Sequence, residues 1–345
     1  MPEPSQDPVS AQVDRLAIGA ALVQAVHAAA RFGVADELAA GPRPVEELAA
    51  AVGADGPALY RLMRALAAAE VFEELDGRRF ALAPLGALLR EGAPGSIRDW
   101  ALAVGRPLYR DAWTRLPDSI RTGEPAFETL HGRTMFEHFG DHPEEARAFD
   151  AMMAASAGRL VAPIVRAYDF GRSGTVVDVG GGNGALLSAI LAANPGVRGV
   201  LYDLPHVVAA AEPGLNGRCR CVGGDFLDSV PSGGDVYLLA HVIHDWDDDR
   251  AARILTNCRA ALRGGAGGGA GGGRVVLAEW VLPDGPGGGG SALAAWTDLS
   301  MLVMTPGGRQ RTRSDFERLL GRAGLRLSRV VPTESECALV EAVPA

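Results

Sequence analysis

A chain of 345 residues, 48% of them hydrophobic and 22% charged, carries enough apolar sequence for two soluble domains. Its net charge of −9 argues against a protein that holds nucleic acid through an overall positive field. All 33 basic residues are arginine, which excludes a Schiff-base lysine, a lysine-bearing phosphate loop and a kinase-type strand lysine.

Residues 1–10, MPEPSQDPVS, lack the basic start and apolar run of a secretory signal. The most apolar early stretch, 16–30, is broken by Gln24 and His27 and is too short to span a bilayer, so no membrane partner is expected. An alanine-rich helix is predicted over 13–30 and a short one over 34–40, ending at Gly41-Pro42. A third helix begins at Pro44, and a fourth covers 58–69, with Leu59, Leu62, Met63 and Leu66 at helical spacing. Residues 71–75 and 79–82 around Asp76-Gly77 read as a hairpin. This is the plan of a winged helix-turn-helix. Between Arg31 and Arg98, however, eight arginines face ten acidic residues, and a DNA reader carries a basic face. A dimerisation platform is the better reading. Residues 98–170 are again helical, with Trp100, Tyr109, Trp113, Phe127, Phe136, Phe139 and Phe149 as core or as walls of an apolar pocket.

From Thr175 strands alternate with helices. Strands are expected at 175–179, 199–203, 235–240 and 274–279, and helices at 185–193, after Asp247, and at 314–323. The last helix carries Ser314 and Glu317 as a capping pair. Segments 325–331 and 337–343 can close the chain as a hairpin. The fold class is therefore α/β, a doubly wound Rossmann-like domain with a mostly parallel sheet ending in an antiparallel strand, behind a mainly helical N-terminal domain. Two glycine runs, 264–273 and 285–290, read as flexible surface loops. The four cysteines, Cys219, Cys221, Cys258 and Cys337, show no C-x-x-C pairing and are expected as free thiols in a reducing cytoplasm.

The strongest motif is Asp178-Val179-Gly180-Gly181-Gly182-Asn183-Gly184, between a strand and a helix. Glycines there allow a sharp turn and a close approach of ligand to backbone. Gly180, Gly182 and Ala185 fit dinucleotide spacing, and Asp203 ends the next strand where a ribose-binding carboxylate belongs. Spacing alone leaves an NAD-type cofactor and S-adenosylmethionine both open. Asp178 suits a cationic amino-acid end better than a pyrophosphate. Gly224-Asp225-Phe226 offers a carboxylate and a ring for adenine, and His241-Val242-Ile243-His244-Asp245-Trp246 leaves the next strand at the same sheet edge.

Taken in order, Asp178 to Gly184, Tyr202-Asp203-Leu204-Pro205, Gly224-Asp225-Phe226, His244-Asp245-Trp246 and Gly307-Gly308-Arg309 make the chain resemble a known family. It is similar to the S-adenosylmethionine-dependent O-methyltransferases of the caffeic-acid/hydroxyindole type, specifically bacterial members that decorate aromatic natural products. The resemblance covers almost the whole chain. It implies a winged-helix-like dimerisation domain at 1–100, and hence a homodimer. A helical connector to the substrate pocket would follow at 101–170, then a catalytic domain at 171–345.

The implied reaction is in-line methyl transfer from S-adenosylmethionine to a hydroxyl of an aromatic or polyketide-type metabolite. S-adenosylhomocysteine is the product, and no metal is involved. His244 matches the family's general base, and a histidine suits proton removal near neutral pH. Glu279 matches the first of two flanking acids. The second is Gln310 here, able to hold the ring by a hydrogen bond but not to offset its charge, with Asp245 a candidate substitute. His241 reads as structural, because no third ligand is evident for an H-x-x-H metal set. Ala240 replaces a lysine of plant relatives, so the cofactor would rest on Asp178, Gly180, Gly182, Asp203, Leu204, Gly224, Asp225 and Phe226. Met153 and Met301 match methionines that sandwich the acceptor ring. Phe149, Met152 and Met304 are further lining candidates, and Thr305 stands where plant enzymes have an asparagine. The competing readings are a same-fold enzyme performing decarboxylation, hydroxylation or cyclisation, an NAD-dependent oxidoreductase, and a winged-helix regulator.

Overall fold

The computed structural model describes residues 8–211, 217–262, 272–285 and 291–345. The two glycine runs expected as surface loops, 264–273 and 285–290, lie mostly outside the described residues. The chain divides into two compact units, one of Met1–Asp111 with Arg147–Ser156, the other of Ala112–Ala146 with Ala157–Ala345.

In the first unit the long helix starts earlier than expected and runs Pro8–Phe32. Short helices follow at Val34–Glu37, Val45–Val52 and Gly56–Ala68. The predicted 34–40 helix stops three residues early, because the chain must turn out to lay Arg43–Pro44 (β1) on the hairpin. Asp55 caps the fourth helix by accepting from the Ala58 amide at 2.9 Å. That helix buries Leu59, Met63 and Leu66, the i, i+4, i+7 stripe of its sequence. Phe72–Leu75 (β2) and Arg79–Leu82 (β3) form the hairpin, giving an antiparallel sheet in the order β1-β3-β2.

The second unit holds an eight-stranded sheet. Its strands are Thr175–Val179 (β4), Arg198–Asp203 (β5), Cys219–Gly223 (β6), Val236–Ala240 (β7), Arg274–Leu282 (β8), Arg311–Thr312 (β9), Leu325–Pro332 (β10) and Cys337–Pro344 (β11). The order is β10-β11-β8-β7-β4-β5-β6, with β9 beside the end of β8. Strands β4 to β8 are parallel, and β11 and β10 add antiparallel pairs as the expected hairpin. Apolar runs through β4, β7 and β8 are buried on both faces. Val177, Leu239 and Val275 join one core, while their neighbours Val176, Leu238 and Val276 join the other. From β4 the chain proceeds outward through β5 and β6, then crosses back to β7 on the other side of β4. That reversal opens a crevice at the carboxyl ends of β4 and β7, the place where such sheets bind ligands.

The last long helix is Arg313–Arg322, and its cap is Thr312 with Asp315 rather than Ser314 with Glu317. Ser314 instead hydrogen-bonds Asp284 at 2.6 Å through its hydroxyl, since that aspartate lies within its reach. A helix at Ala292–Met304 was not foreseen.

Candidate active site

Gly180, Gly182 and Gly184 all take left-handed backbone, with φ of 70°, 57° and 77°, which turns the chain from β4 into the helix Ala185–Ala193. The space where Gly182 would carry a Cβ is open. The Gly180 amide donates to the Tyr202 carbonyl at 2.8 Å, tying the turn to β5. Asp203 reinforces the tie: its carboxylate accepts from the Gly182 amide at 2.8 Å and from its neighbour Leu204 at 2.7 Å. Beneath the turn, the Asp178 carboxylate is buried and neither oxygen makes a hydrogen bond of normal geometry, the Leu187 amide exerting only a weak pull. Burial, and secondarily Asp203, push it up to about 7. A buried carboxylate with both oxygens unspent is a socket for a cation or a hydrogen-bond donor.

At the end of β6, the Gly224 amide bonds the Asp203 carbonyl at 3.0 Å, so the two strand ends meet. Asp225 accepts from the Leu227 amide at 2.8 Å. The Phe226 ring lies edge-on to Trp246, with centroids 5.8 Å apart, and its backbone carbonyl accepts from Asn257 at 2.9 Å. Phe226 also approaches to 3.6 Å of the position a Cβ on Gly180 would fill. The cofactor candidates Asp178, Gly180, Gly182, Asp203, Leu204, Gly224, Asp225 and Phe226 thus gather at the carboxyl ends of β4, β5 and β6.

After β7 a single 3₁₀ turn, Ile243–Asp245, carries His244. Glu279, on β8 beside β7, is fully buried and accepts the Ile243 amide at 2.9 Å and the His244 amide at 3.3 Å with one oxygen. Its other oxygen lies 2.5 Å from His244 Nδ1. With Nδ1–H donated to Glu279, Nε2 is left as the acceptor nitrogen of the neutral ring. Asp245 Oδ1 stands 3.6 Å from that Nε2. Burial opposes charge on the ring, but Glu279 and then Asp245 outweigh it and raise His244 to about 9. Burial likewise resists charge on Glu279, and the imidazole overcomes it and lowers that carboxyl. Asp245 is pushed up to about 6, chiefly by burial.

His241 occupies left-handed backbone at φ 55°, with its ring against Trp280 at 4.3 Å and 5.4 Å from His244, centroid to centroid. Neither ring nitrogen has a hydrogen-bond partner, and burial holds the ring down at about 4.

The expected hydrogen bond from Gln310 to the histidine is not formed. Gln310 is buried, its amide group has no partner, and only its backbone N–H is engaged, by Asp298 at 2.7 Å. Glu279 takes the ring nitrogen because β8 delivers it directly beside the turn. The residue that sequence reasoning missed is Arg311. Its guanidinium is fully buried and donates to the carbonyls of Ile243 at 2.9 Å and Trp246 at 2.8 Å, and to Asp248 at 2.7 Å. It brackets the His244 turn at both ends. Gly308 permits this approach, since a Cβ there would stand 2.6 Å from the His244 carbonyl. The run Gly-Gly-Arg-Gln-Arg drew notice for Gly307-Gly308-Arg309 and for Gln310; an arginine in an apolar strand pair was the overlooked signal.

Of the proposed lining residues, Met304 and Thr305 are buried at the end of the helix Ala292–Met304, with Met301 one turn back. The Thr305 hydroxyl donates to the Met301 carbonyl at 2.9 Å. Phe149, Met152 and Met153 lie in the long helix Pro143–Ala167, within the segment belonging to the first unit, and Met152 is buried there.

Residues 113–326 match the O-methyltransferase domain family, and residues 15–92 match the O-methyltransferase dimerisation domain. The chain is 41% identical over 342 residues to the phenazine O-methyltransferase PhzM of Lysobacter antibioticus, covering 98% of this chain and 97% of that protein. It is 39% identical to the 3-amino-4-hydroxybenzoate 4-O-methyltransferase of Streptomyces cremeus, covering 92% and 86% of the two. One similar crystal structure is an O-methyltransferase (NcsB1) from neocarzinostatin biosynthesis in complex with S-adenosylmethionine and 2-hydroxy-5-methyl naphthoic acid. It is 35% identical, with a TM-score of 0.78 over 94% of this chain and 96% of that one.

Proposed function

The chain belongs to the O-methyltransferase family, and from that premise we propose that it methylates a hydroxyl group on an aromatic or polyketide-type natural product, with S-adenosylmethionine as donor. The observation that carries this reading is the buried His244–Glu279 pair at the sheet edge, beside the glycine turn. Relatives named for phenazine and hydroxybenzoate, and a solved relative in complex with a hydroxynaphthoic acid, support a fused or substituted aromatic acceptor. Proton removal is what an imidazole–carboxylate pair supplies, and a hydroxyl acceptor needs it more than an amine does.

The residues present fit the donor. Asp178 would meet its ammonium group, Asp203 its ribose hydroxyls through lone pairs left after the two backbone bonds, and Asp225 with Phe226 its adenine. S-adenosylmethionine supplies a methyl group on a cationic sulfur that an aligned oxygen can displace. His244 would take the hydroxyl proton on Nε2 while Glu279 fixes the tautomer and steadies the imidazolium. A phenol near pKa ~10 and a ring raised to about 9 are closely matched, so the proton moves with little energetic cost. Asp245, close to Nε2, adds negative charge where the proton arrives. Within the catalytic unit, acceptor walls would come from Met301, Met304 and Thr305. A cytoplasmic homodimer, joined through the dimerisation domain, completes the reading.

The test is release of S-adenosylhomocysteine, with a one-methyl mass gain, across a panel of phenols, hydroxybenzoates, hydroxynaphthoates and hydroxyphenazines. His244→Ala should lower kcat/KM at least ~10²-fold with donor binding retained. An unaffected variant would remove His244 from the chemistry, and no turnover across the panel would overturn the reading.

A further inference from the structure

We infer that His241, His244 and Glu279 together form a binding site for a zinc-type divalent ion, separate from any catalytic cofactor, and that its occupancy switches the enzyme off. Two imidazoles and one carboxylate make an established zinc donor set. In this chain one donor atom from each of the three side chains lies within 4.8 Å of the others. Ligands at ~2.0–2.2 Å on a tetrahedral ion stand about 3.3 Å apart. To reach that spacing the His244–Glu279 contact opens from 2.5 Å and His241 draws in from at most 4.8 Å, movements within the reach of side-chain rotation.

His241 makes this a three-ligand site. Both of its nitrogens are buried without a hydrogen-bond partner, an arrangement that costs stability unless something else satisfies them. Its backbone is held in left-handed geometry, and Trp280 packs on the ring and on that of His244, so the two imidazoles are fixed side by side. Glu279 enters through β8, far away in sequence, which is why H-x-x-H alone gave no metal set. An ion entering here takes His244 Nδ1 in place of the proton shared with Glu279; that proton moves to Nε2, and the ring can no longer accept one. Binding rests on this geometry alone. The loss of turnover rests also on the reading of His244 as the base, and two assays keep the claims apart.

The first is titration with Co²⁺ in the visible range, which reports a four-coordinate nitrogen–oxygen site without any turnover. One ion per chain should bind to the wild-type protein, and at least ~10-fold more weakly to His241→Asn and His241→Gln. Asparagine tolerates left-handed backbone, so the first variant keeps the turn. In the second assay, Zn²⁺ should inhibit methyl transfer reversibly with EDTA, and both variants should lose that sensitivity by the same factor. Undiminished Co²⁺ binding in both variants, loss of binding in Cys221→Ser (an exposed thiol) or no binding at all would overturn the site. Binding without inhibition would establish the site and overturn His244 as base. Zinc-edge anomalous diffraction from Zn²⁺-soaked wild-type crystals decides the matter if the variants do not fold: an ion anywhere but among these three side chains refutes the inference.

Discussion

Burial and pairing pull the His244 imidazole in opposite directions, and the outcome sets its chemistry. Desolvation alone would leave the ring neutral and weakly basic, as it leaves His241 at about 4. Glu279 at 2.5 Å, with Asp245 behind it, reverses the balance and holds the ring at about 9. A raised value means that the ring is protonated below that pH and unable to accept a proton, so its basicity is gained at the expense of the active fraction at neutrality. The kcat/KM profile of the free enzyme should therefore climb from pH 7 and level near pH 9. Glu279→Gln removes the main charge holding the proton. With burial then dominant, the inflection should move to acid by at least ~1 unit, while the plateau falls ~10-fold or more as the tautomer loses its anchor. An inflection that stays put in Glu279→Gln would show that Glu279 does not tune the base.

At the scale of elements, the His244 turn is held between β8, which contributes Glu279 from one side, and the 307–312 segment, which contributes Arg311 from the other. The Arg311 guanidinium satisfies two carbonyls that bracket the turn, and Asp248 neutralises it at the start of the following helix. Such a forked donor has no substitute in lysine, whose ammonium cannot reach three acceptors in one plane. Arg311→Lys should fold, bind donor with an unchanged Kd, and lose about 10-fold in kcat with KM little altered; Arg311→Met should lose more and melt earlier, having left those carbonyls unpaired. A change confined to KM would argue that Arg311 shapes binding and does not position the base. This clamp also marks where the sequence stopped being readable. Apolar runs ending in Asp203, Ala240 and Glu279 disclosed the parallel strands and the edge on which the site lies, because burial on both faces leaves a continuous pattern. The partnerships at that edge depend on register between distant strands, so Glu279 was found through resemblance and Arg311 not at all. The helix Ala292–Met304 escaped notice because its composition, ALAAWTDLSMLVM, is apolar on every side and offers no periodic contrast.

For the whole molecule, the open question of the N-terminal unit is what covers its first helix. Val9, Val13 and Leu16 recur at i, i+4, i+7 along Pro8–Phe32, and all are exposed, Leu16 by 82%. An apolar stripe on a helix usually faces a core or a partner. The unit's own core, built from Leu48, Leu59, Met63, Leu66 and Phe80, leaves this end of the helix unused. The dimerisation domain begins at residue 15, at the edge of that stripe, so a second copy is the natural cover. Leu16→Glu tests the point. Its exposed side chain contributes little to the fold of one chain, so circular dichroism should be unchanged. A carboxylate buried without a partner in a symmetric interface would be strongly disfavoured, and in a two-fold interface it would be introduced twice. Sedimentation velocity should then report a dimer for the wild-type protein and a monomer for Leu16→Glu at the same concentration. If the variant sediments with the wild type, the helix's exposed stripe lies outside the dimer and the interface must be sought on another face of the unit.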